Sequence, residues 1–149
     1  MKRQALQDYI DALNGKTLDD LNLACEMMMF TFEDIAIHSQ CFTRIMHKEQ
    51  VLVTTLDHEN WDGENEENND ERYNLSLNKN SILHNRVTKT LLTSTNDVLI
   101  WLENDITIQI WISNGTPHYA EDCEQWRIFQ DDNEESPHIV VYASSIEEE

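Results

Sequence analysis

The stretch IHSQCFTR, residues 37–44, gathers a histidine, a glutamine, a cysteine and an arginine within a few positions. An imidazole beside a thiol can lower the thiol's pKa and create a nucleophile. A nearby guanidinium can hold an anionic substrate or a developing oxyanion. Spacing decides whether these groups can act together. Their neighbours are apolar or β-branched, so the stretch predicts a β-strand. Along a strand, successive side chains point to opposite faces. His38, Gln40, Phe42 and Arg44 then share one face, and Cys41 points to the other. From a regular strand, His38 and Cys41 can neither ligate one metal nor form a thiol–imidazole pair. The expected role of His38, Gln40, Cys41 and Arg44 is structural, in a polar cluster that satisfies its own hydrogen bonds. Arg44 is one of ten cations among 29 acidic residues, so an internal ion pair is expected for it.

Other sources of chemistry are weaker. The chain has three glycines, at 15, 63 and 115, too scattered for a GxGxxG, GxxxxGK[ST] or GxSxG motif. HExxH is absent. The segment DHENWDGENEENNDER, residues 57–72, carries eight acids in sixteen positions and invites a calcium reading. With Gly63 as the sixth residue of an EF-hand loop, position 1 is His58 and position 12 is Asn69, and neither fits. No metal site and no cofactor is expected.

The elements that would carry these residues follow from periodicity. Ala5, Leu6, Tyr9, Ile10 and Leu13 form one apolar stripe, which predicts an amphipathic helix over 3–14. Gly15 can close it in the left-handed conformation. LACEMMMFTF predicts a buried strand over 23–32. DIAIHSQCFTRIM and QVLVTTL predict two more, joined by a turn at 47–50. A short helix is expected near 80–86, then a strand in VTKTLLTST and a turn at Asn96 and Asp97. Strands over 98–102 and 106–112 follow. In ITIQIWI the isoleucines at 106, 108, 110 and 112 share a face, with Thr107, Gln109 and Trp111 opposite. Trp101 is expected in the core. QWRIF and HIVVYA predict the last strands, and the acidic end, 146–149, is expected to fray.

Charge sets the class of partner. Ten Lys plus Arg face 29 Asp plus Glu, a net charge of −19 over 149 residues. Such a field repels phosphate backbones and anionic membrane surfaces, so neither nucleic acid nor membrane is an expected partner. It attracts a basic protein. Three cysteines, with no CxxC, imply at least one free thiol and a reducing compartment. With no hydrophobic leader and no apolar run of about 20 residues, a cytoplasmic protein is expected.

The order of motifs also resembles a family of small, uncharacterised bacterial proteins. Members run from a first helix into GKKL, an ACDML-like strand, an LHIQCxxRI strand and a late WRFF. The matching segments here are the helix ending in Gly15 and Lys16, LACEMMMF, AIHSQCFTRI, WRIF and HIVV. The matching positions are His38, Gln40, Cys41, Arg44, Trp126 and Arg127. The chain departs from the pattern at Asn96 and Asp97, where an Asp-x-Gly-Asp turn is expected, and in its acidic segment. The resemblance supplies no catalytic residue. By size and charge such proteins look like immunity proteins that cap a toxin.

The combined expectation is a single α+β domain. A mainly antiparallel sheet of six to eight strands carries the N-terminal helix on one side, with one further short helix and an acidic loop or insertion at 57–72. The expected function is that of a non-enzymatic acidic binding protein, immunity-like, capping a basic partner. Its candidate binding residues are Trp61 as an aromatic anchor with Asp62, Glu64, Glu66, Glu67, Asp70 and Glu71, aided by the acids of 121–135. Two alternatives stay open: an enzyme of unrecognised type with a pocket at His38, Cys41 and Arg44, and a domain whose charge serves only solubility. The sequence names neither a partner nor an oligomeric state.

Overall fold

A computed structural model describes residues 2–149. The chain is an α+β fold, with two α-helices and eleven strands among the described residues. Helix α1 spans Lys2–Ala12 and buries Leu6 and Ile10, with Leu13 just beyond it. Gly15 has φ +86°, and its amide donates to the Val87 carbonyl at 2.9 Å. A side chain there would be strained, which explains the helix stop.

Strands β1 (Leu18–Ala24), β2 (Met27–Phe32) and β3 (Ile35–Ser39) form a meander. The single strand expected over 23–32 is therefore a hairpin. Ala24 pairs with Met27, and Cys25 and Glu26 make the turn between them. Cys25 sits at φ +57°, a left-handed value that a two-residue hairpin turn demands at little sequence cost only from Gly or Asn. With Cys there, the turn signal was hidden.

Strands β4 (Phe42–His47) and β5 (Gln50–Thr54) form the hairpin expected around 47–50. The strand expected across 34–46 is interrupted at Gln40 and Cys41, whose amides both donate to the Gln125 carbonyl. There the chain passes from one sheet to the other. After α2 (Asp70–Ile82) come β6 (Val87–Leu92), β7 (Val98–Leu102), β8 (Ile106–Trp111), β9 (Glu124–Gln130), β10 (Ile139–Tyr142) and β11 (Ile146–Glu148).

All pairings are antiparallel. One sheet has six strands in the order β1-β2-β3-β9-β10-β11, and the other has five in the order β5-β4-β8-β7-β6. The strands outnumber the six to eight expected because 23–32 and 34–46 each split in two and Ile146–Glu148 adds another, and they are divided between two sheets. The sheets share one continuous core. Phe30, Phe32, Ile37, Trp126 and Ile128 come from the larger sheet, Ile45, Val53, Ile100, Ile108 and Ile110 from the smaller. Ile106, Ile108 and Ile110 are buried as the alternation predicts, and Ile112 lies just past the strand, packed against the core.

The helices manage the edges. α1 lies against β6 and β11, one edge of each sheet. α2 lies against β5 and β1, the two opposite edges. Each helix thus closes an open side that would otherwise present unpaired backbone. The acidic end does not fray. Ile146–Glu148 pairs with β10, and Tyr142 Oη donates to Glu149 Oε2 at 2.5 Å. Backbone pairing with a core strand outweighs the repulsion of three consecutive carboxylates.

The second helix covers 70–82 rather than 80–86. Its start lies inside the acidic run. Asn69 Oδ1 accepts from the Arg72 amide at 3.2 Å, Asp70 and Glu71 occupy the first turn, and Lys79 the last. This polarity suits the helix dipole. The helix is too polar for an apolar stripe to announce it; only Leu75 and Ile82 among its apolar residues are buried.

Candidate functional site

Three connections converge around His58: the β1–β2 turn, the β3–β4 crossing and the segment following β5. That segment begins with a 3-10 turn at Thr55–His58. Thr54 Oγ1 accepts from the Leu56 amide at 2.9 Å, while the Asp57 carboxylate accepts from the Thr54 amide at 3.0 Å. This reciprocal cap satisfies two otherwise unpaired donors and fixes the direction in which His58 leaves the chain.

His58 stands between two carboxylates. Its Nε2 lies 3.5 Å from Glu26 Oε1 and its Nδ1 3.6 Å from Glu71 Oε1. Asn69 Nδ2 approaches Nδ1 at 3.4 Å. Trp61 meets the imidazole edge-on, with ring centroids 5.4 Å apart. Glu26 is exposed at the hairpin tip, whereas the Glu71 side chain is 0% exposed. Neither Glu71 oxygen has a hydrogen-bond partner among the described residues. Burial, reinforced by the charges of Asp57 and Glu26 and only partly offset by Arg72, pushes the Glu71 carboxyl up to about 8. Its place in the first turn of α2 favours the anion, but loss of hydration wins.

Open space lies on both sides of the Glu26–His58 pair. A cavity of about 570 Å³ is walled by Cys25, Glu26, Met27, Gln40, His58 and Trp61. A second, of about 240 Å³, shares Glu26, Gln40 and His58 and extends to Glu59 and Asn114. The first has an apolar wall and a carboxylate at its mouth.

Beside these cavities runs the acidic segment. It is built from local turns: Asp62 accepts from the Glu64 amide at 3.0 Å, Asn65 accepts from the Glu67 amide at 3.0 Å, and a second 3-10 turn spans Glu66–Asn68. Trp61 folds back rather than projecting, its indole N–H donating to the Asn65 carbonyl at 2.8 Å. Asp62, Glu64, Glu66, Glu67 and Asp70 are exposed. The one ion pair among them links Glu66 to Arg72 at 4.0 Å, among the described residues. Glu71 is the exception. Its burial removes it from any surface that a partner could touch.

The His38–Arg44 residues are dispersed. His38 lies on the six-stranded sheet, edge-on to Phe129 at 4.9 Å, and Phe129 stacks on His138 at 4.0 Å. Arg127, paired with His38 across β3 and β9, forms a two-pronged ion pair with Glu124 and contacts His138 Nδ1 at 2.9 Å. Burial and the Arg127 charge hold both histidines below their ordinary value. Arg44 belongs to the other sheet, where its Nε donates to Gln109 Oε1 at 2.6 Å in place of the expected ion pair. Cys41 is 5% exposed, with Sγ 3.5 Å from Ser39 Oγ, and burial pushes its thiol up to about 11. The crossing at Gln40 breaks the alternation that would have aligned His38, Gln40 and Arg44. Trp126 is fully buried and donates to the Asn96 carbonyl at 3.0 Å. Trp101, expected in the core, instead lies half-buried on the outer face beneath Lys89, whose Nζ sits 4.9 Å from its ring centroid.

Comparison with family models, with curated proteins and with solved structures finds no match to this chain. No group of three or more His, Cys, Asp or Glu side chains is arranged to hold a metal among the described residues. No helix among them is long and apolar enough to cross a membrane.

Proposed function

We propose that this is an acidic binding protein, immunity-like in manner, that caps a basic protein partner without catalysing a reaction. What supports the reading is one feature: the exposed carboxylates of Asp62, Glu64, Glu66, Glu67 and Asp70 stand on a segment pinned in place by Trp61 and by the Asn65 and Asn69 caps. A charged surface held in one shape loses little freedom on binding, so its attraction is not offset by ordering. The net charge of −19 adds long-range steering. The rival pocket at His38, Cys41 and Arg44 lacks assembly, since those side chains face Phe129, Ser39 and Gln109 respectively.

The test is capture of partners from the native lysate, followed by association kinetics with the captured protein. The wild-type chain is compared with one carrying Asp62→Asn, Glu64→Gln, Glu66→Gln and Glu67→Gln. The expected partner is basic. Its association rate falls steeply between about 50 mM and about 500 mM salt as the Debye length shrinks, and the neutralised variant associates more slowly. A rate indifferent to both salt and the four substitutions refutes the proposal.

A further inference from the structure

The cavity beside Trp61, of about 570 Å³, has room for a long side chain. One wall is apolar, from Ala24, Met27 and the indole of Trp61. At the mouth stands Glu26, with a side chain 72% exposed and the imidazole of His58 3.5 Å away as its one ion-pair contact among the described residues. Gln40, also exposed, completes the polar side. Behind His58 lies Glu71, fully buried and without a hydrogen-bond partner among the described residues. Two carboxylates thus address one imidazole from opposite sides. The charges of Asp57 and Glu26 favour the protonated form of Glu71, and that of Arg72 acts against them.

An unpartnered, buried carboxylate is unusual, because such groups normally find a donor. With its carboxyl pushed up to about 8, Glu71 keeps its proton near neutral pH, so the negative charge at the cavity is that of Glu26. A long basic side chain answers both halves of the geometry: its methylene stem covers the apolar wall while its head meets the carboxylate. An indole beside a cationic head adds cation–π attraction.

We propose that this cavity receives an arginine or lysine side chain of the basic partner, with the Glu26 carboxylate as its counter-ion and the Trp61 indole as its wall. The inference rests on the acidic face being the interface, and it names the anchor within that face. Diffuse charge on Asp62, Glu64, Glu66 and Glu67 speeds the encounter, and the cavity holds one residue of the partner in register.

Short capped peptides, Gly-Arg-Gly and Gly-Lys-Gly, test this without a known partner. The indole N–H signal of Trp61, identified by its disappearance in Trp61→Phe, reports binding in a nitrogen–proton correlation spectrum. Both basic peptides are expected to shift it saturably. Peptides with citrulline or norleucine at the centre keep the stem and lack the charge, and they are expected to leave it in place. Glu26→Gln lies at an exposed hairpin tip, so folding survives, and affinity is expected to fall about tenfold, equivalent to about 1.4 kcal/mol. The variant neutralised at 62, 64, 66 and 67 is expected to keep the peptide affinity within about twofold, since those groups steer rather than hold. Equal binding of the citrulline peptide, or an unchanged affinity in Glu26→Gln, overturns the pocket. The broader proposal survives either result if partner association still depends on salt. Conversely, peptide binding that persists while partner association ignores salt overturns the broader proposal and leaves the pocket standing.

Discussion

Glu71→Gln isolates the most unusual group in the molecule. Glutamine keeps the shape and removes the charge. In the folded protein the carboxyl moves from an ordinary 4.5 to about 8, chiefly because it is buried. At about 1.4 kcal/mol for each tenfold change in proton affinity, ionising it in place costs about 4–5 kcal/mol. The sign follows from proton counting. Between pH 4.5 and about 8 the folded chain holds a proton that the unfolded chain has released. Wild-type stability therefore falls as pH rises through that window and levels off above it. The glutamine variant lacks this slope. Asp57 and Glu26 push the Glu71 carboxyl up and Arg72 pulls it down, so their charges are part of the slope that Glu71→Gln removes. Urea unfolding, followed by tryptophan fluorescence at pH 5 and pH 9, measures it. The variants are expected to match near pH 5, and Glu71→Gln is expected to be more stable by about 3–5 kcal/mol near pH 9. A difference independent of pH, or a variant less stable at pH 9, refutes the assignment of a buried, unpaired carboxyl.

Three other expectations concern the core and the sheet faces. Iodoacetamide near neutral pH is expected to label Cys25 and Cys123, which are exposed, while Cys41 reacts only after unfolding; mass spectrometry of the native protein counts the adducts. Trp126→Ala is expected to lower stability by about 3–5 kcal/mol, from the cavity left and the Asn96 carbonyl stranded beside it, as read by denaturant midpoint. His38 and His138 are held neutral by burial and by Arg127, so their contribution is full above their ordinary value of 6.5 and is lost as pH falls below it. Glu124, Asp131 and Glu149 face them and act in the opposite direction. Replacing both histidines with leucine is expected to flatten the acid side of the stability profile relative to wild type, measured by thermal unfolding between pH 7 and pH 5.

Local signals were legible wherever one residue's neighbours decide its state. The stripe of Leu6, Ile10 and Leu13 made a helix, and Gly15 ended it, because packing and φ are set within a turn or two. The alternation of Ile106, Ile108 and Ile110 put them in the core for the same reason. The start of α2 was written in Asn69, Asp70 and Glu71, but a dense acidic run resembles solvated loop when charge is weighed ahead of capping. That Asp62, Glu64, Glu66, Glu67 and Asp70 are exposed could be read from composition alone, because a charged run with a single large apolar residue has little to cover it.

What the chain alone determines is therefore its charge, its α+β pattern and the faces of its clean strands. Tertiary structure decided the rest. Glu26, His58 and Glu71 belong to a hairpin tip, a 3-10 turn and a helix start, and only folding brings them within 3.6 Å of one imidazole. The same folding separated His38 from Arg44 by turning the chain between sheets at Gln40. Period and capping act over a few residues, whereas burial and proximity depend on how distant segments close upon one another, and no short window of sequence contains that information.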